Sequence, residues 1–86
     1  MKVTVNENDR LDFNFVLVAL NTTMDYIRKP LPMDLTEEKA IEYYTALMAH
    51  FRDAKVKEHM LRVKFASEYG VPYDFPYRDG VIEIPE

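Results

Sequence analysis

The sequence has no cysteine, no tryptophan and only two glycines among its 86 residues. Without cysteine the chain can form no disulfide framework, no thiolate metal site and no cysteine nucleophile. Two isolated glycines, Gly70 and Gly80, cannot supply a Walker loop or a dinucleotide fingerprint, both of which need clustered glycines. Disulfide scaffolds and enzymes built on these two phosphate-binding motifs are therefore excluded.

Serine and histidine, which carry much of enzyme chemistry, are also scarce. Ser67 is the only serine, and no histidine lies within one helical turn of it. His50 and His59 are nine residues apart, so at about 100° per residue they point to opposite sides of a continuous helix and cannot share a metal ion. The paired carboxylates Glu37, Glu38 and Glu42 fall in the first turns of a predicted helix, where acids favour the helix dipole, so they suit a helix start better than acid–base catalysis. We therefore expect no enzyme activity, no catalytic residue, no metal and no cofactor.

Long apolar runs are absent as well. The longest stretch without a formal charge, from Phe13 to Met24, is about half of a membrane span and contains two asparagines and two threonines. No basic start followed by an apolar segment resembles a signal peptide. We therefore expect a soluble cytoplasmic protein with no membrane partner, placed in the cytoplasm of the host cell if the chain is viral.

Apolar residues, at 48% of the chain, are enough for one folded domain over residues 1–86. The main signal is a run of apolar positions in alternating steps of four and three, interrupted only by Glu58: Ala40, Tyr44, Leu47, Phe51, Ala54, Leu61 and Phe65. This heptad pattern predicts a long helix over 35–69, capped by Asp34 and stopped by Gly70. Its length leaves open a break near 50–55. Glu58 marks either an exposed part of the seam or a contact with a basic residue of another protomer.

A second apolar seam predicts a first helix over residues 10–29, capped by Asn8 or Asp9 and ended by Pro30. Residues 1–9 are predicted as a short strand and a turn, and residues 70–86 as an extended aromatic arm whose last segment pairs with Val3 and Val5. The predicted fold is mainly α: an antiparallel helical hairpin with one long heptad-patterned helix. The longer helix should project past the shorter one around Val56, Met60 and Val63.

Both helices carry a second apolar stripe on the side opposite the main seam. A helix with two apolar stripes needs two neighbours, so we expect a helical-bundle homo-oligomer. The alternative is that the aromatic arm covers these stripes within one chain. The predicted interface consists of the following residues: Phe15, Val18, Tyr26, Val56, Met60 and Val63.

The net charge is −4, yet residues 50–64 form a basic band within the acidic chain. This band has two interpretations: the solvated surface of a helix, or a site for a small anionic ligand such as a nucleotide held between subunits. Duplex nucleic acid is not expected as a partner, because the chain is acidic and has no recognition-helix motif. The candidate ligand-binding residues, which combine basic groups with aromatic rings, are the following: Arg52, Lys55, His59, Arg62, Tyr69, Tyr73 and Tyr77.

In its compact size, acidic composition and lack of motifs, the chain resembles the accessory proteins that phages and mobile elements carry. The leading hypothesis is a non-enzymatic helical protein that sequesters or inhibits a host component through the aromatic arm or a second apolar stripe. The alternative is a protein that captures a nucleotide or nucleotide messenger at the basic band. A third hypothesis is a structural subunit that assembles only with itself.

Overall fold

The structure, a computed structural model, describes residues 1–85 and is mainly helical. The two helices pack as a hairpin, which confirms the predicted fold class. The elements in chain order are β1 (Lys2–Thr4), α1 (Glu7–Arg28), α2 (Glu37–Tyr69), β2 (Tyr77–Arg78) and β3 (Val81–Glu83).

Helix α1 begins three residues earlier than the sequence suggested. Asn6 is the N-cap, and its side-chain oxygen accepts a hydrogen bond of 2.8 Å from the backbone N–H of Asp9. The prediction that Asn8 or Asp9 caps the helix is therefore wrong. Asp9 lies inside the first turn, where its carboxylate bonds to side chains of α2 instead of capping its own helix.

Helix α2 runs without interruption through residues 50–55, where the sequence left a break open. Its N-cap is Thr36, whose hydroxyl accepts a hydrogen bond of 3.2 Å from the backbone N–H of Lys39, so the assignment of Asp34 as the cap is wrong. Gly70 ends the helix in the left-handed conformation, at φ 65° and ψ 36°, as the sequence indicated.

The relative position of the two helices differs from the prediction. The start of α1 is level with the end of α2, because Asp9 lies 2.9 Å from Lys64 and Leu20 packs with Ala54. At this register α2 extends roughly nine residues, or about 14 Å, beyond the C-terminal end of α1. The expected projection around Val56 and Met60 is therefore wrong, since it is the N-terminal part of α2 that projects.

A small antiparallel sheet covers the opposite end of the hairpin. Its strand order is β1-β3-β2, with Ile82 paired to Val3 on one side and to Tyr77 on the other. The expected pairing of the last segment with Val3 and Val5 is present, since the backbone N–H of Val5 also donates to the carbonyl of Gly80. The C-terminal arm thus folds into a two-stranded hairpin instead of remaining simply extended.

The main core lies between this sheet and the two helices. Its largest fully buried side chains are Phe13, Phe65, Phe75 and Ile82. The Phe13 ring lies 5.4 Å from Phe65 and 5.7 Å from Phe75, measured between ring centres. Because this core occupies one end of an elongated molecule, the other end and one side of the hairpin keep apolar surface exposed.

Candidate functional site

The N-terminal part of α2 presents three apolar side chains on one face, which we call the projecting patch: Ile41, Tyr44 and Met48. Ile41 and Tyr44 lie beyond the end of α1, whereas Met48 lies one turn further along, level with the last turn of α1. Their spacing of three and four residues places them together on the helix. Ile41 is 61% exposed and Met48 is 53% exposed. Tyr44 belongs to the predicted seam but stays partly exposed, because α1 ends at Arg28 before reaching its level. All three side chains of the patch therefore keep apolar surface exposed in the single chain.

A second apolar surface is a groove between α1 and α2 on the side that the sheet leaves open. Two adjoining cavities of about 410 and 320 Å³ form this lateral groove. Phe15, Val16 and Lys57 line both cavities, Val18 lines the larger one and Met60 the smaller one. Ala19 and Ala54, two small side chains between the helices, also line the larger cavity.

Three of the six predicted interface residues, Phe15, Val18 and Met60, meet in the lateral groove. Val56 and Val63 are exposed but lie about 100° or more around α2 from Lys57, outside the groove. Tyr26 lies near the C-terminal end of α1, where the ammonium of Lys29 sits 4.8 Å from the centre of its ring. The aromatic arm covers none of these six residues, since each keeps a large exposed fraction.

Charged side chains of both signs border the lateral groove. Lys57 stands between the two cavities, Asp12 borders the smaller cavity and Asp53 the larger one. Within residues 1–85 these three side chains form no ion pair shorter than 4 Å. The i,i+4 spacing of Asp53 and Lys57 therefore does not produce a salt bridge, and the groove keeps both charges available.

Arg62, one of the predicted ligand-binding residues, holds the C-terminal arm in place. It donates hydrogen bonds of 3.2 and 3.0 Å to the carbonyls of Tyr73 and Phe75. Its guanidinium also lies 4.7 Å from the centre of the Phe75 ring and 5.4 Å from that of Phe13. Glu58 accepts from Lys55 at 2.9 Å and lies 3.9 Å from Arg62, so its polar partners are on its own helix.

His59 and Tyr73 meet beside Arg62, and we call these three residues the basic corner. The Nδ1 atom of His59 lies 2.7 Å from the Tyr73 hydroxyl, and the two ring centres are 5.4 Å apart. Arg52 is exposed, two turns of α2 before His59. The basic corner is the only place in the described chain where basic and aromatic members of the predicted ligand site come together.

The other two tyrosines of the predicted ligand site lie elsewhere and bond within the fold. The hydroxyl of Tyr69 donates to Asp9 at 2.6 Å, and that of Tyr77 donates to Asn14 at 2.6 Å. Both rings pack against the main core. A site that uses all seven predicted residues at once is therefore not assembled in one chain, and ligand binding stays a prediction.

Asp9 is a buried charged residue that the sequence analysis assigned to a helix cap. It is 2% exposed, and its carboxylate accepts hydrogen bonds from Tyr69 and from Lys64. Burial works to raise the pKa of Asp9, but the hydrogen bonds from Tyr69 and Lys64 outweigh it and hold that pKa below its usual value. Asp9 lies four residues before Phe13 on the apolar seam of α1, and this position is the sequence signal that could have predicted its burial.

Among residues 1–85 no group of three or more histidine or carboxylate side chains is placed to hold a metal ion, and no side-chain nitrogen or oxygen is buried without a hydrogen-bond partner. Neither described helix is long and apolar enough to cross a membrane. Comparison of the chain with models of protein families, with curated proteins and with solved structures finds no match.

Proposed function

We propose that this chain is a non-enzymatic binding protein that sequesters or inhibits another protein by docking it on the projecting patch. The observation that carries the proposal is the exposure of Ile41, Tyr44 and Met48 on one face of α2, at the end of the helix that projects beyond α1 and one turn inside it. Apolar anchors at i, i+3 and i+7 are the pattern by which a helix presents itself to a protein groove. Their burial in a partner would remove this exposed surface from water.

The polar surroundings support a protein partner over a small molecule at this place. The patch lies on the exposed face of a single helix, whereas small-molecule sites are concave and enclose most of their ligand. Glu37 and Glu38 in the first turn of α2 give this end a negative rim, so we expect a partner surface that is apolar at its centre and basic at its edge. Since the chain resembles phage accessory factors in its small size and its lack of motifs, the partner to seek is a protein of the host cell.

The test is photo-crosslinking in the cells that make the protein. A photoreactive phenylalanine analogue replaces Tyr44 in one variant and Glu42 in a matched control, because these positions are both exposed and lie about 160° apart around α2. We expect one specific adduct from position 44, none from position 42, and loss of the adduct when Ile41→Asp is added. No adduct, or equal adducts from both positions, would contradict the proposal.

A nucleotide is the second candidate ligand, favoured by the basic corner. His59 and Tyr73 present an imidazole and a phenol side by side, with Arg52 and Lys55 exposed on the same side of α2. A phosphate could bind these cations while a base stacks on the half-exposed Tyr73 ring. Arg62 would contribute little, because its guanidinium already bonds to two carbonyls of the arm.

Calorimetry with a panel of nucleoside triphosphates and cyclic nucleotides tests this second candidate. The informative variant is Arg52→Glu with Lys55→Glu, which leaves Arg62 to hold the arm. Lys39→Glu, on an exposed position near the start of α2, is the matched control for a change of charge. Binding that the double variant loses and the control keeps would support a nucleotide site. Absence of binding, or equal binding by all three proteins, would contradict it.

A further inference from the structure

The lateral groove carries three apolar side chains that are more than half exposed. Phe15 is 73% exposed, Met60 is 64% exposed and Val18 is 62% exposed. All three border the two cavities around Lys57, so their exposed surfaces are continuous across α1 and α2. Large contiguous apolar surfaces of this kind mark interfaces with other macromolecules.

The size of the surface that the chain leaves uncovered matches one side of a protein interface. The accessible surface is 6469 Å², whereas a compact monomer of the same mass exposes about 5,300 Å². The radius of gyration is 16.5 Å, whereas a compact domain of this length has about 12 Å. The excess of about 1,200 Å² exceeds the roughly 800 Å² that each partner buries in a stable complex of ordinary size.

The charges of the lateral groove favour a second copy of the chain as its occupant. A two-fold symmetric interface places the same surface of both copies face to face, so its charges must complement themselves. Lys57 and Asp12 border the same cavity, lie on different helices and have no ion pair within residues 1–85. A partner of a single charge sign would leave one of these groups facing a like charge. A second copy of the chain supplies an opposite charge to each.

We propose that a second copy of this chain occupies the lateral groove, so that two hairpins form a four-helix bundle in which Lys57 of each copy faces Asp12 of the other. Phe15, Val18 and Met60 of both copies form the apolar centre of the bundle, and the charge pairs border it. The projecting patch lies on another part of α2, so this assembly goes beyond the proposed docking function and does not depend on it. The dimer would carry two projecting patches.

Light scattering and native mass spectrometry between about 5 and 200 µM test the assembly. We expect the wild-type chain to have twice its mass of 10.2 kDa. Phe15→Asp should give a monomer that keeps the wild-type helical circular dichroism, because the Phe15 side chain is mostly exposed in the single chain. Ile41→Asp, a matched change in the projecting patch, should leave the dimer intact. A wild-type monomer over the whole range, or a dimer insensitive to Phe15→Asp, would overturn the proposal.

A charge exchange tests the predicted contact and keeps the proposal testable if Phe15→Asp fails to fold. Lys57→Asp and Asp12→Lys should each weaken the dimer at least tenfold, since each places like charges opposite one another. An equimolar mixture of the two variants should form a heterodimer, because both contacts then join opposite charges. In one contact the two changed positions, 57 and 12, face each other with their charges exchanged, and in the other contact the unchanged Lys57 and Asp12 face each other. A mixture that associates no more tightly than either variant alone would overturn the pairing. Crosslinking from position 44 remains a separate test of the docking function under either outcome.

Discussion

The hydroxyl of Tyr69, in the last turn of α2, donates a hydrogen bond of 2.6 Å to the carboxylate of Asp9, in the first turn of α1. The same carboxylate accepts a hydrogen bond of 2.9 Å from Lys64, and the backbone N–H of Asn6 donates to the Tyr69 hydroxyl at 3.0 Å. These bonds tie the N-terminal end of α1 to the C-terminal end of α2. They set the register that makes the opposite end of α2 project.

The first prediction is that stability falls at both ends of the pH range. The folded-state pKa of Asp9 is lowered, so its contribution is complete above the unfolded pKa of about 3.9 and is lost as the pH falls through the folded value. Burial and Asp9 raise the pKa of Tyr69, and Asp9 raises that of Lys64. Their contributions are complete below about pH 10 and are lost as the pH rises through the folded values.

Urea unfolding at a series of pH values measures this dependence. Asp9→Asn should flatten the acid limb, because the titrating group is then absent. Asp25→Asn, a change of an exposed acid on the same helix that has no ion pair within residues 1–85, is the matched control. Asp9→Ala should cost about 2–3 kcal/mol at pH 7, since it leaves Tyr69 and Lys64 without their acceptor. An acid limb that is the same in Asp9→Asn and in wild type would contradict this assignment.

The second prediction compares two phenylalanines that are two residues apart on α1. Phe13 is fully buried between Phe65, Phe75 and Tyr77, so Phe13→Ala should lower the free energy of unfolding by about 3–5 kcal/mol. Phe15 is mostly exposed in the single chain, so Phe15→Ala should change the stability of the monomer by less than about 0.5 kcal/mol. Chemical denaturation at low protein concentration makes the comparison, and equal losses would show that the side of α1 facing the core is misassigned.

The third prediction concerns the two glycines, which both adopt positive φ. Gly70 faces open space, so Gly70→Ala should cost only the left-handed conformation, about 1 kcal/mol. A Cβ at Gly80 would lie 2.6 Å from Cδ and 2.8 Å from Cγ of Arg10. Gly80→Ala must therefore also displace Arg10, which lies 2.9 Å from Asp79. We expect the free energy of unfolding to fall by about 2 kcal/mol or more in thermal unfolding. A smaller loss than for Gly70→Ala would contradict the close approach of Gly80 to Arg10.

The fourth prediction is that Arg62 holds the C-terminal arm and that Arg52 does not. Arg62→Ala removes two hydrogen bonds to carbonyls of the arm and the contact with the Phe75 ring, at a cost of about 2–3 kcal/mol. Limited proteolysis should then cut the arm faster than in wild type. Arg52→Ala is the matched control, because Arg52 is exposed on the same helix. Equal cleavage of the two variants would contradict the role of Arg62.

The hairpin could be predicted because its seams are periodic. Steps of four and three along both helices place Phe13 and Phe65 on facing stripes, and Gly70 and Pro30 mark helix ends that local backbone chemistry fixes. The second apolar stripe of each helix also followed from spacing alone. Its exposure in the single chain is consistent with the predicted need for a further neighbour, and the identity of that neighbour stays a proposal.

The register of the hairpin could not be predicted, because two helices with seven-residue repeats pack equally well when one helix is shifted along the other by one repeat. The register depends on contacts distant in sequence, above all those of Asp9 with Lys64 and Tyr69. The roles of the basic residues also depend on contacts distant in sequence, so they could not be predicted either. Arg62 and Arg52 look alike on a helical wheel, and only the path of the arm shows that Arg62 bonds to it.

Native mass spectrometry of the protein, isolated at its natural level from the cells that make it, tests the central claim that this is a binding protein which acts through its exposed apolar surface. We expect a complex of the chain with a second protein in wild-type cells and loss of that protein, but not of the dimer, in the variant Ile41→Asp with Met48→Asp. A chain that carries no other protein would contradict the account, and so would the same complex in wild type and variant. An added mass of nucleotide size, in place of a protein, would favour binding at the basic corner instead.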